Sequence, residues 1–493
     1  MTDNKQFKSV VARSASWVLI RSLIDQAFRF VLFVFLSRLL KPAEFGIFAL
    51  SMVFVDLARV FPATGWGDTI IRAKKVDQVL ISTIFWTVFG LSCFAILAIC
   101  VLSPVLAIIL KQPDIPKYLI AASGSLFFTP FSVVNGTRAV RDFRQRDLAV
   151  IGLSTSAIAG VLAVLCAYHG FGPWSFVVQL YTSAILYSLC VVKRFPIDLK
   201  PVFSKEIFHE ARRYSSALTA GNLVQSTIVR FQELVSGKYL GAAAVGQYRV
   251  AMRSYDMLNS ALMLPVSSIA MPTLARLTDQ RERFLNTYFR MIGVAASVCC
   301  PAMIGFSAVG REVVPVLYGN QWTAAIPLVQ VLGWLAPPMT LSFFYMPTLS
   351  SLGKTRTIFR IQLVQLATTV VFAAIALPFG LFGLACGWVA RAYVVAPYTM
   401  NCLRKEAGIP PMRVIRELTP PVISCAIMSA LLYLFSDIPI ISRQDQAVLL
   451  VEKVVLGASI YIASMAVIFN KYFNHHLSFA KEVISSRRQG KAA

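Results

Sequence analysis

The sequence predicts an all-α polytopic membrane protein of about fourteen transmembrane helices, in two six-helix lobes followed by two extra C-terminal helices. Three observations predict it. Apolar runs long enough to cross about 30 Å of hydrocarbon recur along all 493 residues. The loops between them alternate between rich and poor in lysine and arginine. A stretch of the chain also repeats itself, without a gap, at a shift of 200 residues.

The composition agrees. The chain is 57% hydrophobic and 14% charged, with a mean hydropathy of +0.67, where a soluble domain is nearer a quarter charged. The N-terminus is basic (Lys5, Lys8, Arg13). The apolar segment after it is long and no small-residue cleavage site follows, so an uncleaved first span is expected at 14–37 rather than a signal peptide. Spans at 46–64, 81–109, 118–136, 148–168 and 173–192 complete an N-lobe within 1–200. Those at 214–236, 247–272, 288–309, 324–350, 358–379 and 382–403 make a C-lobe within 201–405. Spans 13 and 14, at 418–436 and 447–469, fall within 406–470, and 471–493 is a tail.

The net charge of +24 would suggest nucleic acid if it sat on one soluble domain. It is spread instead over alternate loops. With Arg290 and Arg360 counted with the loops they adjoin, 32 of the 47 lysines and arginines fall on the side of the N-terminus and 7 on the other. That bias puts both termini, tail included, in the cytoplasm, facing anionic inner-leaflet lipid. No nucleic-acid partner is expected.

In the repeat, "SRLLKPAEFGIFALSMVFVD" (37–56) lies over "GKYLGAAAVGQYRVAMRSYD" (237–256). Leu40/Leu240, Ala43/Ala243, Gly46/Gly246, Met52/Met252 and Asp56/Asp256 are identical. The match joins spans 1–2 to spans 7–8. The copies are six spans apart, an even number, so they point the same way through the membrane. Parallel repeats are the architecture of transporters whose halves rock about a central cavity.

Charges inside spans are expensive and face protein or a wet cavity. Span 1 carries Arg21, Asp25 and Arg29 at a spacing of four, on one helix face. They lie about 7, 13 and 20 Å into the span. Arg21 can snorkel to the headgroups; Arg29 is too deep to do so easily. Span 2 adds Asp56 and Arg59, and span 8 adds Arg253 and Asp256. Within each set the arginine can simply neutralise the carboxylate, and that bland reading competes for any single pair. It accounts less well for the clustering on the repeated helices. Guanidinium stays protonated and offers a fork matched to phosphate oxygens, so an anionic substrate is expected to meet Arg21, Arg29, Arg59 and Arg253. Asp25, Asp56 and Asp256 would balance charge or carry a coupled ion. Arg230, Glu233 and Arg249 fall near the ends of spans 7 and 8, are read as interfacial, and are set aside. Arg391 in span 12 and Glu452/Lys453 in span 14 are the remaining exceptions.

Enzymatic signatures are missing. "SSLGKT" (350–355) ends like a phosphate-binding loop, but Thr348 stands where its first glycine belongs. Nine scattered cysteines and four histidines show no ligand spacing, so no metal, cofactor or disulfide framework is expected. "NGT" (135–137) fits a glycosylation sequon in a loop expected to be cytoplasmic, where it would be idle.

Three stretches carry a resemblance to a known family: "SRLLKPAEFGIFAL" (37–50), "GKYLGAAAVGQYRVAMRSYD" (237–256) and "VLYGNQWTAAIPLVQVLG" (316–333), the last with Gly319, Trp322 and Pro327 in familiar places. Together they resemble the Wzx-type oligosaccharide flippases of the MOP exporter superfamily, nearest to exopolysaccharide and colanic-acid-type exporters, over about residues 10–475. The resemblance implies a cavity lined by spans 1, 2, 7 and 8 and a non-enzymatic function in the bacterial inner membrane. That function is transfer of undecaprenyl-pyrophosphate-linked sugar repeat units to the outer leaflet. Implied partners are that lipid-linked oligosaccharide, membrane lipid, and polysaccharide polymerase and export machinery. A drug/cation antiporter of the same superfamily is the alternative, and it favours an acidic cavity without compensating arginines. A membrane polymerase or ligase would need a sizeable outer loop, and the outer loops expected here are short.

Overall fold

The computed structural model describes residues 24–436 and 446–474, excluding the side chains of 264–269, 272, 435 and 436. Among these residues the secondary structure is helical, with no strand. Arg21 lies outside them. By compactness the chain divides into two units, 1–249 and 250–493, with the boundary inside one long helix.

The first unit opens with α1 (24–39). Pro42 starts α2 (Pro42–Ala63), where its missing N–H costs nothing, and the Glu44 carboxylate turns back to accept the Lys41 N–H at 2.9 Å. Gly65, at φ +80°, breaks the chain into the short α3 (Trp66–Arg72). Asp77 caps α4 (Gln78–Leu110) by accepting from the Leu80 N–H. At 33 residues α4 is about 50 Å long. Phe94, Leu97, Val101, Val105 and Ile108 stand exposed along it, an outward apolar face suited to lipid rather than water. The next crossing is bent: α5 (Ile115–Ser123), a 3-10 turn, then α6 (Thr129–Arg141) begun by Pro130. Helices α7 (Gln145–Tyr168) and α8 (Trp174–Arg194) form a hairpin. Residues 195–204 then run along α4, tied by Trp86 Nε1 to the Lys200 carbonyl and by Gln78 to Asp198. The unit closes with α9 (Lys205–Leu240) and the start of α10 (Ala242–Ala275).

The repeat is visible in these elements. Helix α1 ends at 39 and α2 starts at Pro42; α9 ends at Leu240 and α10 starts at Ala242. The two copies cross at their glycines. A Cβ on Gly46 would sit 1.7 Å from the Ala242 carbonyl oxygen, and one on Gly246 would sit 2.1 Å from the Pro42 carbonyl oxygen. Each glycine is thus packed on the backbone that opens the other copy.

In the second unit α10 leads to α11 (Arg281–Ala308) and α12 (Gly310–Tyr318). A 3-10 turn (Asn320–Ala325) and α13 (Ile326–Leu332) follow, then α14 (Ala336–Ser351). The remaining helices are α15 (Thr355–Ala376), α16 (Gly380–Ala407), α17 (Pro411–Ser436) and α18 (Gln446–Val467). The "YGNQW" stretch proves structural. Gly319 takes φ +98° and Trp322 is fully buried, while the buried Tyr318 hydroxyl meets Ser254 Oγ at 2.6 Å. The phosphate-loop look-alike is the turn between α14 and α15, and its Lys354 is paired with Glu406 at 3.0 Å. Asn135 of the sequon is buried on α6 and donates to the Phe195 carbonyl.

One ion pair joins α12 to α18 deep in this unit: Lys453 Nζ donates to Glu312 Oε1, both residues buried. Lys453→Met would strand a buried carboxylate, and about 3–5 kcal/mol of stability should go with it. The measurement is the thermal midpoint in detergent. Adding Glu312→Leu should return most of the loss, whereas an unchanged midpoint in the single variant would show that the pair carries no weight.

Ten helical segments among the described residues are long and apolar enough to cross a membrane. They account for eleven of the fourteen expected spans, because Thr355–Ala407 qualifies as one segment while holding both α15 and α16. The three that do not qualify are α1, α9 and α10. The last two carry the charges described next, and α1 is described only in part.

Candidate functional site

Five charged side chains of the first unit assemble into one chain of ion pairs. Asp56 on α2 accepts from Arg230 Nη2 on α9 at 2.7 Å and lies 3.8 Å from Arg59. Arg230 Nη1 reaches Glu233 one turn along α9 at 3.2 Å. Glu233 in turn accepts from Arg249 Nη1 on α10, at 2.8 and 2.7 Å to its two oxygens. The order is Arg59–Asp56–Arg230–Glu233–Arg249. Three guanidiniums face two carboxylates, leaving one positive charge in excess.

Burial along the chain is deepest at Glu233. The Glu233 side chain is 5% exposed and that of Arg59 is 37%. Glu233 therefore depends on its two arginines, since an unpaired carboxylate there would have lost its water without compensation. Arg59 is the open end. At 3.8 Å its contact with Asp56 is electrostatic and too long for a hydrogen bond, so its fork of N–H donors remains available to a ligand. Such a cluster can hold an anion while keeping the empty site near neutral.

The sequence reading set aside three of these five residues. Arg230, Glu233 and Arg249 are the residues that the sequence reads as interfacial, near the ends of spans 7 and 8. In the structure α9 and α10 are parted only at Gly241. Glu233 thus lies about 10 Å inside the end of α9, and Arg249 about as far inside the start of α10. The three-residue spacing of Arg230 and Glu233 was the available signal.

The other predicted residues fall as follows. On α1, Arg29 Nε donates to Asp25 Oδ2 at 2.8 Å, and both side chains are reachable, at 52% and 28% exposure. Among the described residues nothing walls them off. Arg21 is outside the described residues. Arg253 is half-buried and Asp256 exposed on the part of α10 that belongs to the second unit. Arg391 is held locally: its guanidinium lies 4.0 Å over the Trp388 ring and donates to Thr369 Oγ1 at 3.1 Å. All nine cysteines are free, and no grouping of histidine, cysteine and carboxylate among the described residues could hold a metal.

Ten helical segments long and apolar enough to cross a membrane are the make-up of a polytopic membrane protein, and solved structures show its fold. The lipid II flippase MurJ, in an inward closed conformation, superposes with a TM-score of 0.74 at 14% identity, covering 94% of this chain and 99% of that one. An inward-facing MATE family multidrug transporter of the MOP superfamily gives 0.62 at 16% identity, covering 78% and 94%. The fold is the MOP-type helical fold.

Residues 35–327 match the model of the polysaccharide biosynthesis protein family, and the chain belongs to that family. Among curated relatives, the succinoglycan biosynthesis transport protein ExoT of Rhizobium meliloti is 25% identical over 75% of this chain and 74% of its own length. The lipopolysaccharide biosynthesis protein WzxC of Escherichia coli is 24% identical over 64% and 65%. The probable flippase AglR of Haloferax volcanii is 24% identical over 87% and 90%.

Proposed function

We propose that this protein is a flippase, not an enzyme. It would carry undecaprenyl-pyrophosphate-linked polysaccharide repeat units from the inner to the outer leaflet of the bacterial cytoplasmic membrane by alternating access. The observation that carries the reading is the ion-pair chain with its positive excess, in a chain of the polysaccharide biosynthesis protein family. A diphosphate headgroup is the anion that arginine forks hold best at membrane depth. The polyprenyl tail stays in lipid while the glycan occupies the wet space between helices.

In this reading fourteen helices span the membrane with both termini cytoplasmic, as two lobes (1–200 and 201–405) followed by spans 13 and 14. Arg21, Arg29, Arg59 and Arg253 bind the headgroup, and Asp25, Asp56 and Asp256 balance charge or couple an ion. The accessible Arg29 and the open end at Arg59 support those roles. The surplus of cations over acids in the chain argues against a cation antiporter. A polymerase and export machinery would receive the flipped unit.

The test is complementation of a strain lacking this gene. Wild-type protein should restore surface polysaccharide. Arg29→Ala should abolish it while still reaching the membrane, and Arg29→Lys should restore only part, because an ammonium lacks the planar fork. Full polymer from Arg29→Ala would remove Arg29 from the site; normal polymer in the deletion strain would remove the function.

A further inference from the structure

A second basic site lies at the far end of α9 from Arg230. A cavity of about 830 Å³ opens between the α3–α4 turn and the start of α9. Arg72, Lys74 and Lys75 line one wall, Arg213 and Tyr214 the other. The volume is that of a ligand pocket rather than a surface dimple. Its walls are braced. The Trp66 ring stacks on Phe208 at 6.1 Å, and Gly65 leaves no room for a side chain against the Ser215 backbone. Arg141 Nη1 grips the turn from behind through the carbonyls of Ile70 and Ala73, at 2.6 and 2.7 Å. The lysines are thus presented on a fixed loop.

The charges of this cavity are only partly compensated: Arg72, Lys74, Lys75 and Arg213 share its walls with Asp77 and Glu210. Among the described residues no carboxylate lies within ion-pair reach of Arg72, Lys74, Lys75 or Arg213. Of the two acids on the walls, Asp77 also caps α4, and with Glu210 it leaves the four cations an excess of two positive charges. Arg72 is steadied over the Tyr214 ring at 4.5 Å, which orients its fork without using its donors. The Thr69 hydroxyl on the same wall has no hydrogen-bond partner. Four cations around one cavity, one of them oriented by an aromatic ring, suit an anion bearing several phosphoryl oxygens.

We propose that this cleft between α3 and α9 binds a diphosphate-bearing anion, and that it is a station separate from the ion-pair chain. Arg213 and Arg230 are 17 residues apart on one unbroken helix, about 26 Å along its axis, so one diphosphate cannot touch both. On the orientation expected from the loop charges, the cleft opens to the cytoplasm. There it would capture the headgroup before transfer, a role that rests on the flippase reading. The binding itself does not.

The experiment uses the full chain, purified in detergent, titrated with undecaprenyl diphosphate, inorganic pyrophosphate and phosphatidylglycerol. Lys74→Ala/Arg213→Ala should weaken undecaprenyl diphosphate at least tenfold with an unchanged thermal midpoint, and Arg213→Lys should lose much less. Competition by inorganic pyrophosphate would show that the diphosphate alone is recognised; its failure to compete would assign the site to the lipid-linked form. Wild-type affinity in the double variant, or equal competition by phosphatidylglycerol, would overturn the site. In an Arg230→Gln background, which disturbs the ion-pair chain and should lose polymer export, the same double substitution should still weaken undecaprenyl diphosphate at least tenfold. Normal polymer in the deletion strain would defeat the flippase reading and leave the binding result standing.

Discussion

Glu233→Ala is expected to be the most damaging single substitution in the first unit. Its carboxylate is 5% exposed and is shared between Arg230 and Arg249. Removing it leaves two guanidiniums facing one another, partly buried and with one shared counter-charge gone. Breaking a buried pair from one side costs about 3–5 kcal/mol, well above the usual effect of a point mutation. The thermal midpoint in detergent should fall accordingly, and polymer export with it. Glu233→Gln keeps the shape and an acceptor but no charge, so its loss should be smaller in stability and nearly as large in export. A double-mutant cycle isolates the pair: Arg249→Met should cost less in a Glu233→Leu background than alone. A Glu233→Ala protein with the wild-type midpoint would mean that the ion-pair chain does not hold these helices.

How much of this was legible beforehand depends on the range of the interaction. The Asp25–Arg29 pair is a fourth-neighbour contact on one helix, and helical periodicity alone predicts it. The same rule predicts Asp56–Arg59, which does form, but loosely at 3.8 Å. The strong partner of Asp56 is Arg230, 174 residues away on another helix, and no spacing rule reaches it. Burial of Glu233 was hidden for a related reason. Hydropathy places the end of a span where polar residues begin, yet α9 continues through Ser236, Gly237 and Lys238 to Leu240. Those polar residues belong to a helix whose neighbours are other helices, so their polarity does not mark its end. The repeat, by contrast, was readable, because identical small residues recur where two backbones meet. Only the backbone is symmetric: Asp56 has a counterpart at Asp256, whereas Arg230 and Arg249 stand opposite Phe30 and Ala49. Duplication preserved the crossing but not the pattern of charges, so Asp56 and Arg59 from one copy pair with Arg230, Glu233 and Arg249 from the other.

That crossing carries the second large prediction. Gly46→Ala and Gly246→Ala each add one methyl group, and each methyl meets a carbonyl oxygen of the other copy, at 1.7 and 2.1 Å if nothing moves. Backbone cannot rotate aside as a side chain can, so the helix starts at Pro42 and Ala242 must separate. Close approach through glycine is what lets membrane helices gain packing without a hydrophobic drive, and overpacking of this kind costs about 1–3 kcal/mol. Because the contacts are reciprocal, the two variants should lose nearly the same stability. The double variant should lose clearly less than their sum, since one separation accommodates both methyls. Thermal midpoints of the three proteins measure this directly. Strict additivity would mean that the glycines act independently, and an unchanged midpoint in either single variant would mean that the backbones are not in contact there. The sign of the coupling also separates this account from simple loss of flexibility, which would make the second alanine as costly as the first.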